Sequence, residues 1–330
     1  MSTARLPTTP AAAEVPGPRD RRPARPPRAP VRRRIDAGIP GQTPASPPWR
    51  VLKSLVILLC CLTVILPFLT VLSTSLADTA QVNEAGGFVL WPDHPSLDSY
   101  EAILRGGLVT RAMAVSIGVT VVGTALSLLS SVTLAYGLSR PGSFGHKPVL
   151  MILLFSMLFA PGVIPSYLLI KQLHLINSYW ALILPTMVNA FNVIVLRSFF
   201  QSIPRELLDA ARIDGANELN ILTKVVMPLS RASVAVVGLF YAVSYWNAFF
   251  NALLYMNESA KWPMQLVLRT YVVNNAAIGA GEASAAGAPL PPSQALQAAI
   301  IVLSIVPIVL VYPFLQRHMN KGVMIGAVKG

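Results

Sequence analysis

Six apolar runs, at about residues 53–76, 109–138, 148–170, 179–198, 231–256 and 295–315, constrain this 330-residue chain more than any other feature. Each is near or above the roughly 20 residues that an α-helix needs to cross about 30 Å of hydrocarbon. Inside lipid every backbone N–H and C=O must bond within its own segment, so runs of this length are expected to be helices. Composition agrees: 54% of residues are hydrophobic, 12% are charged, and the mean hydropathy is +0.58. The expected fold class is therefore an all-α integral membrane protein with six transmembrane helices. The first run is followed by the small residues of "SLADT", as a cleaved signal would be. It is too long for a signal peptide and its leader extends some 50 residues, so it is read as a span.

Lysine and arginine orient the spans. With the N-terminus inside, the inner segments hold 21 of these residues and the outer segments 5, namely Arg105, Arg111, Lys171, Lys261 and Arg269. Even without the 11 in residues 1–53 the inside leads 10 to 5. Both termini are thus placed in the cytoplasm. The chain divides into a basic Pro/Arg-rich tail (1–50), a first span with its outer loop (51–108), a core of five spans (109–316) that contains an inner loop (203–229), and a cytoplasmic C-terminal tail (317–330). The formal net charge of +12 is concentrated in the N-terminal tail, which is too poor in apolar residues to fold by itself. This distribution argues against nucleic acid as a partner. A basic arm of this kind either holds anionic lipid headgroups or is a solvated extension that sets topology.

Most catalytic chemistry finds no residues to carry it. Cys60 and Cys61 are adjacent on one helix and point about 100° apart, and they read as apolar fillers. His94, His146, His174 and His318 are scattered singly, so no metal site is expected. No Asp, Glu, Lys or Arg occupies the central part of a span, where ion-coupled transporters place groups that bind or relay the driving ion. A carbonyl-lined sodium site is still compatible with that pattern. There is no phosphate-binding GxxxxGK[ST] motif and no nucleophile–base constellation. Uphill transport by such a chain would need energy supplied by a partner.

The inner loop reads "IPRELLDAARIDGANELNILTKVVMPL" (203–229). Pro204 suits a helix start and Glu206 the positive end of its dipole. Gly215 suits a left-handed turn that ends this helix, and Asn217 suits the cap of a second helix running toward Pro228. Ala210 and Ala211 offer a surface without bulk, framed by Arg205, Glu206, Asp209, Arg212 and Asp214. That combination fits docking of another protein better than it fits an anionic lipid surface, which favours Lys and Arg over acids.

In the fifth run, Tyr241, Ser244, Ala248, Asn251 and Tyr255 recur at three- and four-residue spacing, which puts them on one face of a continuous helix. Asn189 and Asn192 repeat the pattern in the fourth run. These residues are expected either to line a polar path or to bond helices to one another.

The order Asp209-Ala210-Ala211, three residues, Gly215, nine residues, Val225, one residue, Met227-Pro228 resembles the E-A-A-x3-G-x9-I-x-L-P loop of ABC importer permeases. It departs from that pattern at three places: Asp for Glu, Val for Ile and Met for Leu. "IPRELLDAARIDGA" is similar to the binding-protein-dependent sugar permeases related to the maltose transporter. "LWPDHPSLDSYEAIL" (90–104) and "YPFLQRHMNKGVMIGAVKG" (312–330) are similar to their oligosaccharide-linked branch, and Trp246-Asn247 to a "WN" pair of sugar permeases.

The resemblance implies a type I importer permease whose loop (Glu206, Asp209, Ala210, Ala211, Asp214, Gly215, Pro228) couples to an ATPase. It implies a second, different permease, two copies of the ATP-binding subunit and an extracellular, lipid-anchored sugar-binding protein in a bacterial plasma membrane. ATP and Mg would belong to the ATPase, leaving this chain without a cofactor or enzymatic activity. The substrate-path candidates are Asn189, Asn192, Tyr241, Ser244, Asn247 and Asn251. Trp246 lies about 200° from Ser244 on a helix and so off the polar stripe. A peptide permease and an ion-coupled transporter are the competing functions.

Overall fold

A computed structural model describes residues 47–105, 107–140, 142, 145–273 and 291–327. The basic tail up to residue 46 and residues 274–290 of the last loop lie outside these residues. Among the described residues every regular element is helical. In chain order these are α1 (Pro47–Leu76), α2 (Thr79–Glu84), α3 (Asp98–Arg105), α4 (Leu108–Ser139), α5 (His146–Leu158), α6 (Val163–Gln172), α7 (Trp180–Ile183) and α8 (Ala190–Gln201). They continue as α9 (Arg205–Ile213), α10 (Glu218–Ile221), α11 (Met227–Leu229), α12 (Arg231–Trp246), α13 (Phe249–Tyr255), α14 (Met264–Leu268) and α15 (Ser293–Ala327).

The six apolar runs are all helical, but only three are unbroken. α1, α4 and α15 each contain a stretch long and apolar enough to cross a membrane alone. The third run is divided into α5 and α6 at Pro161-Gly162, where a residue without an N–H precedes a glycine at φ +83. The fourth is a bent pair, with α7 and its extension to Thr186 meeting α8 at 50°. The α10–α11 arm meets α12 at 86° at Ser230, so it turns away from the axis of the fifth run. Counting each bent pair as one span gives up to five spans by length and composition.

The fold is organised on α4. α12 lies along it, α8 packs beside it, and α15 joins α12. Small residues let the helices approach, and Gly123, Ser127 and Ser131 form a stripe at four-residue spacing on α4. A Cβ on Gly123 would stand 2.8 Å from Tyr245 Cζ. The Ser127 hydroxyl bonds Tyr245 Oη at 2.8 Å and the Ser131 hydroxyl bonds Tyr241 Oη at 2.7 Å, so two tyrosines of α12 rest on two serines of α4. Around these contacts gather Val132, Ala135, Leu182, Val193, Leu196 and Val237, all buried. Toward the other ends of α4 and α15, Ile103, Val109, Met264 and Ile300 form a second cluster. The Met264 N–H donates to the Ser116 hydroxyl at 2.7 Å.

The segment after α1 is ordered by local capping. Asp78 caps α2 by accepting from the Ala80 and Gln81 N–H groups, and the Thr74 hydroxyl accepts from the Val89 N–H at 2.9 Å. Ser75 meets the Tyr100 hydroxyl at 2.7 Å, fastening α3. Large apolar side chains such as Leu62, Ile65 and Phe68 of α1 stay exposed, as they would facing lipid or another membrane chain. Cys60 and Cys61 are both free.

Candidate functional site

The loop at 203–229 folds as its residues dictate. Pro204 holds the N-cap position and α9 starts one residue later, at Arg205, with Glu206 in its first turn. Gly215 turns the chain at φ +80, and with no neighbour within 4 Å of a built Cβ the requirement is one of backbone conformation rather than space. Asn217 then caps α10, its side chain accepting from the Asn220 N–H at 2.8 Å. Five residues in π-helical form, Leu222–Val226, lead into α11, where Pro228 lies inside the first turn.

Leu208 is the buried anchor of α9, packed in the core with Ile203. The opposite face is open. Asp209, Ala210, Asp214 and Gly215 are exposed and Ala211 is half-buried. Ile213 is 88% exposed and Leu219 67%. Neither residue was singled out in the sequence, and together they put two large apolar side chains on the open side of a polar loop.

Behind the loop lies a cleft of about 440 Å³ lined by Tyr136, Arg140, Gln201, Arg205, Asp209 and Arg212, among others. A polar chain crosses its edge. Arg212 pairs with Asp209 at 3.2 Å and with Glu218 at 2.9 Å. Glu218 accepts from the Tyr136 hydroxyl on α4. Arg140 donates to that same hydroxyl at 2.6 Å and lies over the Tyr136 ring, 4.6 Å from its centroid. The Tyr136 hydrogen bond, with Arg212 and Arg140 nearby, holds the Glu218 carboxyl below the usual carboxylate range, although partial burial opposes this. The Arg197 Nε also donates to the Leu138 carbonyl at 2.9 Å, joining α8 to the same end of α4. Tyr136, Arg140 and Glu218 were missed in the sequence. The available signal was an acid in the first turn of α10 and a Tyr-x3-Arg at the end of α4, without anything to pair them.

The expected polar stripe is interrupted. The fifth run is not one helix; it stops at Trp246, and Asn247 and Ala248 separate α12 from α13. Three- and four-residue spacing therefore does not hold one face through the break. Tyr241 is 2% exposed, bonded to Ser131 and accepting from the Asn189 N–H at 3.0 Å. Tyr255 is buried and stacks on Tyr167. Asn192 is 5% exposed within α8, and Asn189 is exposed and caps that helix by accepting from the Asn192 N–H at 3.1 Å. Trp246 is buried, its Nε1 donating to the Ser304 carbonyl at 3.2 Å.

Ser244, Asn247 and Asn251 do come together. With Thr186, Tyr245, Ala248, Phe249 and Phe250 they surround a depression of about 220 Å³ at the break. The adjacent break in the fourth run is held by side chains: the Ile183 carbonyl accepts from the Tyr245 hydroxyl at 3.2 Å and the Thr186 hydroxyl at 3.3 Å. Irregular backbone at membrane depth is stable only where protein or water satisfies it, so two breaks meeting at one polar depression make a candidate path lining. Among the described residues no group of His, Cys, Asp and Glu is placed to hold a metal ion.

This architecture has known counterparts. Over 274 residues, 83% of this chain and 96% of the relative, it is 44% identical to the polygalacturonan/rhamnogalacturonan transport system permease protein YtcP of Bacillus subtilis (strain 168). It is 28% identical to the arabinooligosaccharides transport system permease protein AraQ of Halalkalibacterium halodurans, covering 81% of this chain and 91% of that one. A crystal structure of a bacterial ABC transporter involved in the import of the acidic polysaccharide alginate contains a chain that superposes with a TM-score of 0.77 at 31% identity, covering 84% of this chain and 99% of that one. Residues 131–325, which include the loop, the break and α12, match the family model of binding-protein-dependent transport system inner membrane components. The chain belongs to that family, as a membrane-embedded permease component rather than an enzyme.

Proposed function

We propose that the chain is one permease of an ABC importer that takes an oligosaccharide into the cell, with loop 203–229 and both termini in the cytoplasm. The observation that carries this reading is the loop itself: Leu208 anchors α9 inward while Ala210, Ile213 and Leu219 face outward around the left-handed turn at Gly215. Such a surface fits a cleft in an ATP-hydrolysing subunit. Two ATPase copies and a second, different permease would complete the channel, and an extracellular lipid-anchored binding protein would deliver the sugar. The transport names of the relatives support a carbohydrate cargo, and the spread of Lys and Arg supports the orientation. ATP and Mg would be bound by the ATPase.

Ser244, Asn247 and Asn251 present hydroxyl and amide groups of the kind that bond sugar hydroxyls, while Tyr241 bonds α12 to α4 and Asn192 is buried in α8. Reconstitution of the complete complex in vesicles tests the proposal. Uptake of an oligosaccharide is expected to require ATP inside and to persist when ion gradients are collapsed. Uptake driven by an ion gradient without ATP would refute it.

A further inference from the structure

Beside the depression at the helix break stands a cation that the mechanism above leaves unused. The guanidinium of Arg269, in the π-helical turn after α14, lies over the ring of Phe249 with Cζ 4.9 Å from the centroid. Phe249 is itself part of the wall of the depression that holds Ser244, Asn247 and Asn251. Arg269 is exposed, and among the described residues it has no carboxylate partner. Glu258, earlier in the same segment, is engaged by Lys261 at 3.1 Å. Stacking on a ring face orients a planar guanidinium while leaving its N–H edges free, and those edges match a carboxylate bidentately.

We propose that the depression and Arg269 form a subsite for an acidic sugar residue, a uronate, of the oligosaccharide that passes through the permease. The proposal rests on the oligosaccharide reading above and narrows its substrate class. About 220 Å³ suits one sugar ring rather than a chain. In this subsite Phe249 and Phe250 face the C–H surface of the ring, Ser244, Asn247 and Asn251 bond its hydroxyls, and Arg269 holds its carboxylate. A neutral sugar offers the guanidinium no carboxylate, and loss of a charge-assisted bidentate contact lowers affinity more than loss of a neutral hydrogen bond.

The test uses the complete complex in vesicles, with trigalacturonate and its fully methyl-esterified, uncharged form as probes at saturating binding protein. The binding protein is the same in every arm, so its own selectivity cancels in the ratio of variant to parent. Arg269→Gln is expected to lower ATP-driven uptake of the acid about tenfold and to change uptake of the ester less than twofold. Arg269→Lys is expected to fall between, because an ammonium keeps the charge and loses the planar fork. Equal effects of Arg269→Gln on both probes, no effect on either, or a parent complex that imports the ester but not the acid would overturn the subsite while leaving the permease reading intact. A parent complex for which ATP drives uptake of no oligosaccharide in a broad panel would overturn the permease reading, and the subsite with it.

Discussion

Replacing Gly123 with alanine adds one methyl group at a close approach between α4 and α12. The new Cβ would lie 2.8, 2.9 and 3.0 Å from Cζ, Cε2 and Cδ2 of Tyr245, against about 3.5–4.0 Å for carbon atoms in contact. The ring would have to withdraw by roughly 0.7 Å to restore that separation. Its hydroxyl is held at 2.8 Å by Ser127 and at 3.2 Å by the Ile183 carbonyl, so withdrawal stretches one bond and breaks the weaker one. Overpacking costs about 1–3 kcal/mol and a lost hydrogen bond about 1 kcal/mol, whereas the helix-propensity gain of alanine over glycine is at most about 1 kcal/mol. The net effect is a loss of roughly 1–3 kcal/mol. Denaturation of the purified protein in mixed micelles measures it, and the cost should largely vanish when Tyr245 is leucine. A Gly123→Ala protein as stable as the parent, or one equally destabilised in the Tyr245→Leu background, would refute the close-packed α4–α12 seam.

Gly215→Val should fold and insert but lose transport, because a β-branched residue at φ +80 costs about 1–2 kcal/mol and swings α10 out of line. Since no atom lies near a built Cβ, Gly215→Asn should retain more activity than the valine variant in the same vesicle uptake assay. The Glu218 carboxyl, whose ordinary value is 4.5, titrates lower in the folded loop, so its contribution is complete above that value and fades as pH falls through the depressed one. With Glu218 more than half exposed that contribution is at most about 1 kcal/mol. Protease cleavage between α9 and α10 should therefore rise in the parent as pH falls below the ordinary value of 4.5 and on through the depressed one, and stay flat in Glu218→Gln.

What could be read in the sequence was local. Gly215, Asn217 and Pro228 each act within one turn of the chain, and the inner loop has the shape those residues specify. The apolar runs announce helices because lipid leaves no other way to satisfy the backbone. The pairing of Tyr136 with Glu218 was not readable, since the two are 82 residues apart and nothing near either names the other. Nor was the break at Asn247-Ala248, which contains no proline or glycine and interrupts what looks like a continuous helical period. Tyr241 and Tyr255 are buried, whereas Ser244 and Asn251, on either side of that break, share a depression. Arg269 appeared in the sequence only as one of five outer basic residues, and its place over Phe249 depends on how α14 meets α13.

Contact between loop 203–229 and an ATP-hydrolysing subunit on the inner face is the central claim, and site-directed crosslinking tests it most directly. In a chain with Cys60 and Cys61 replaced by alanine, a single cysteine at position 210 is expected to crosslink to the ATPase in the assembled complex. The yield should change when ATP is added, and a membrane-impermeant thiol reagent should reach the cysteine only from the inner side. A cysteine at position 210 that labels from outside, or that never crosslinks to the ATPase in complexes active in transport, would contradict the account.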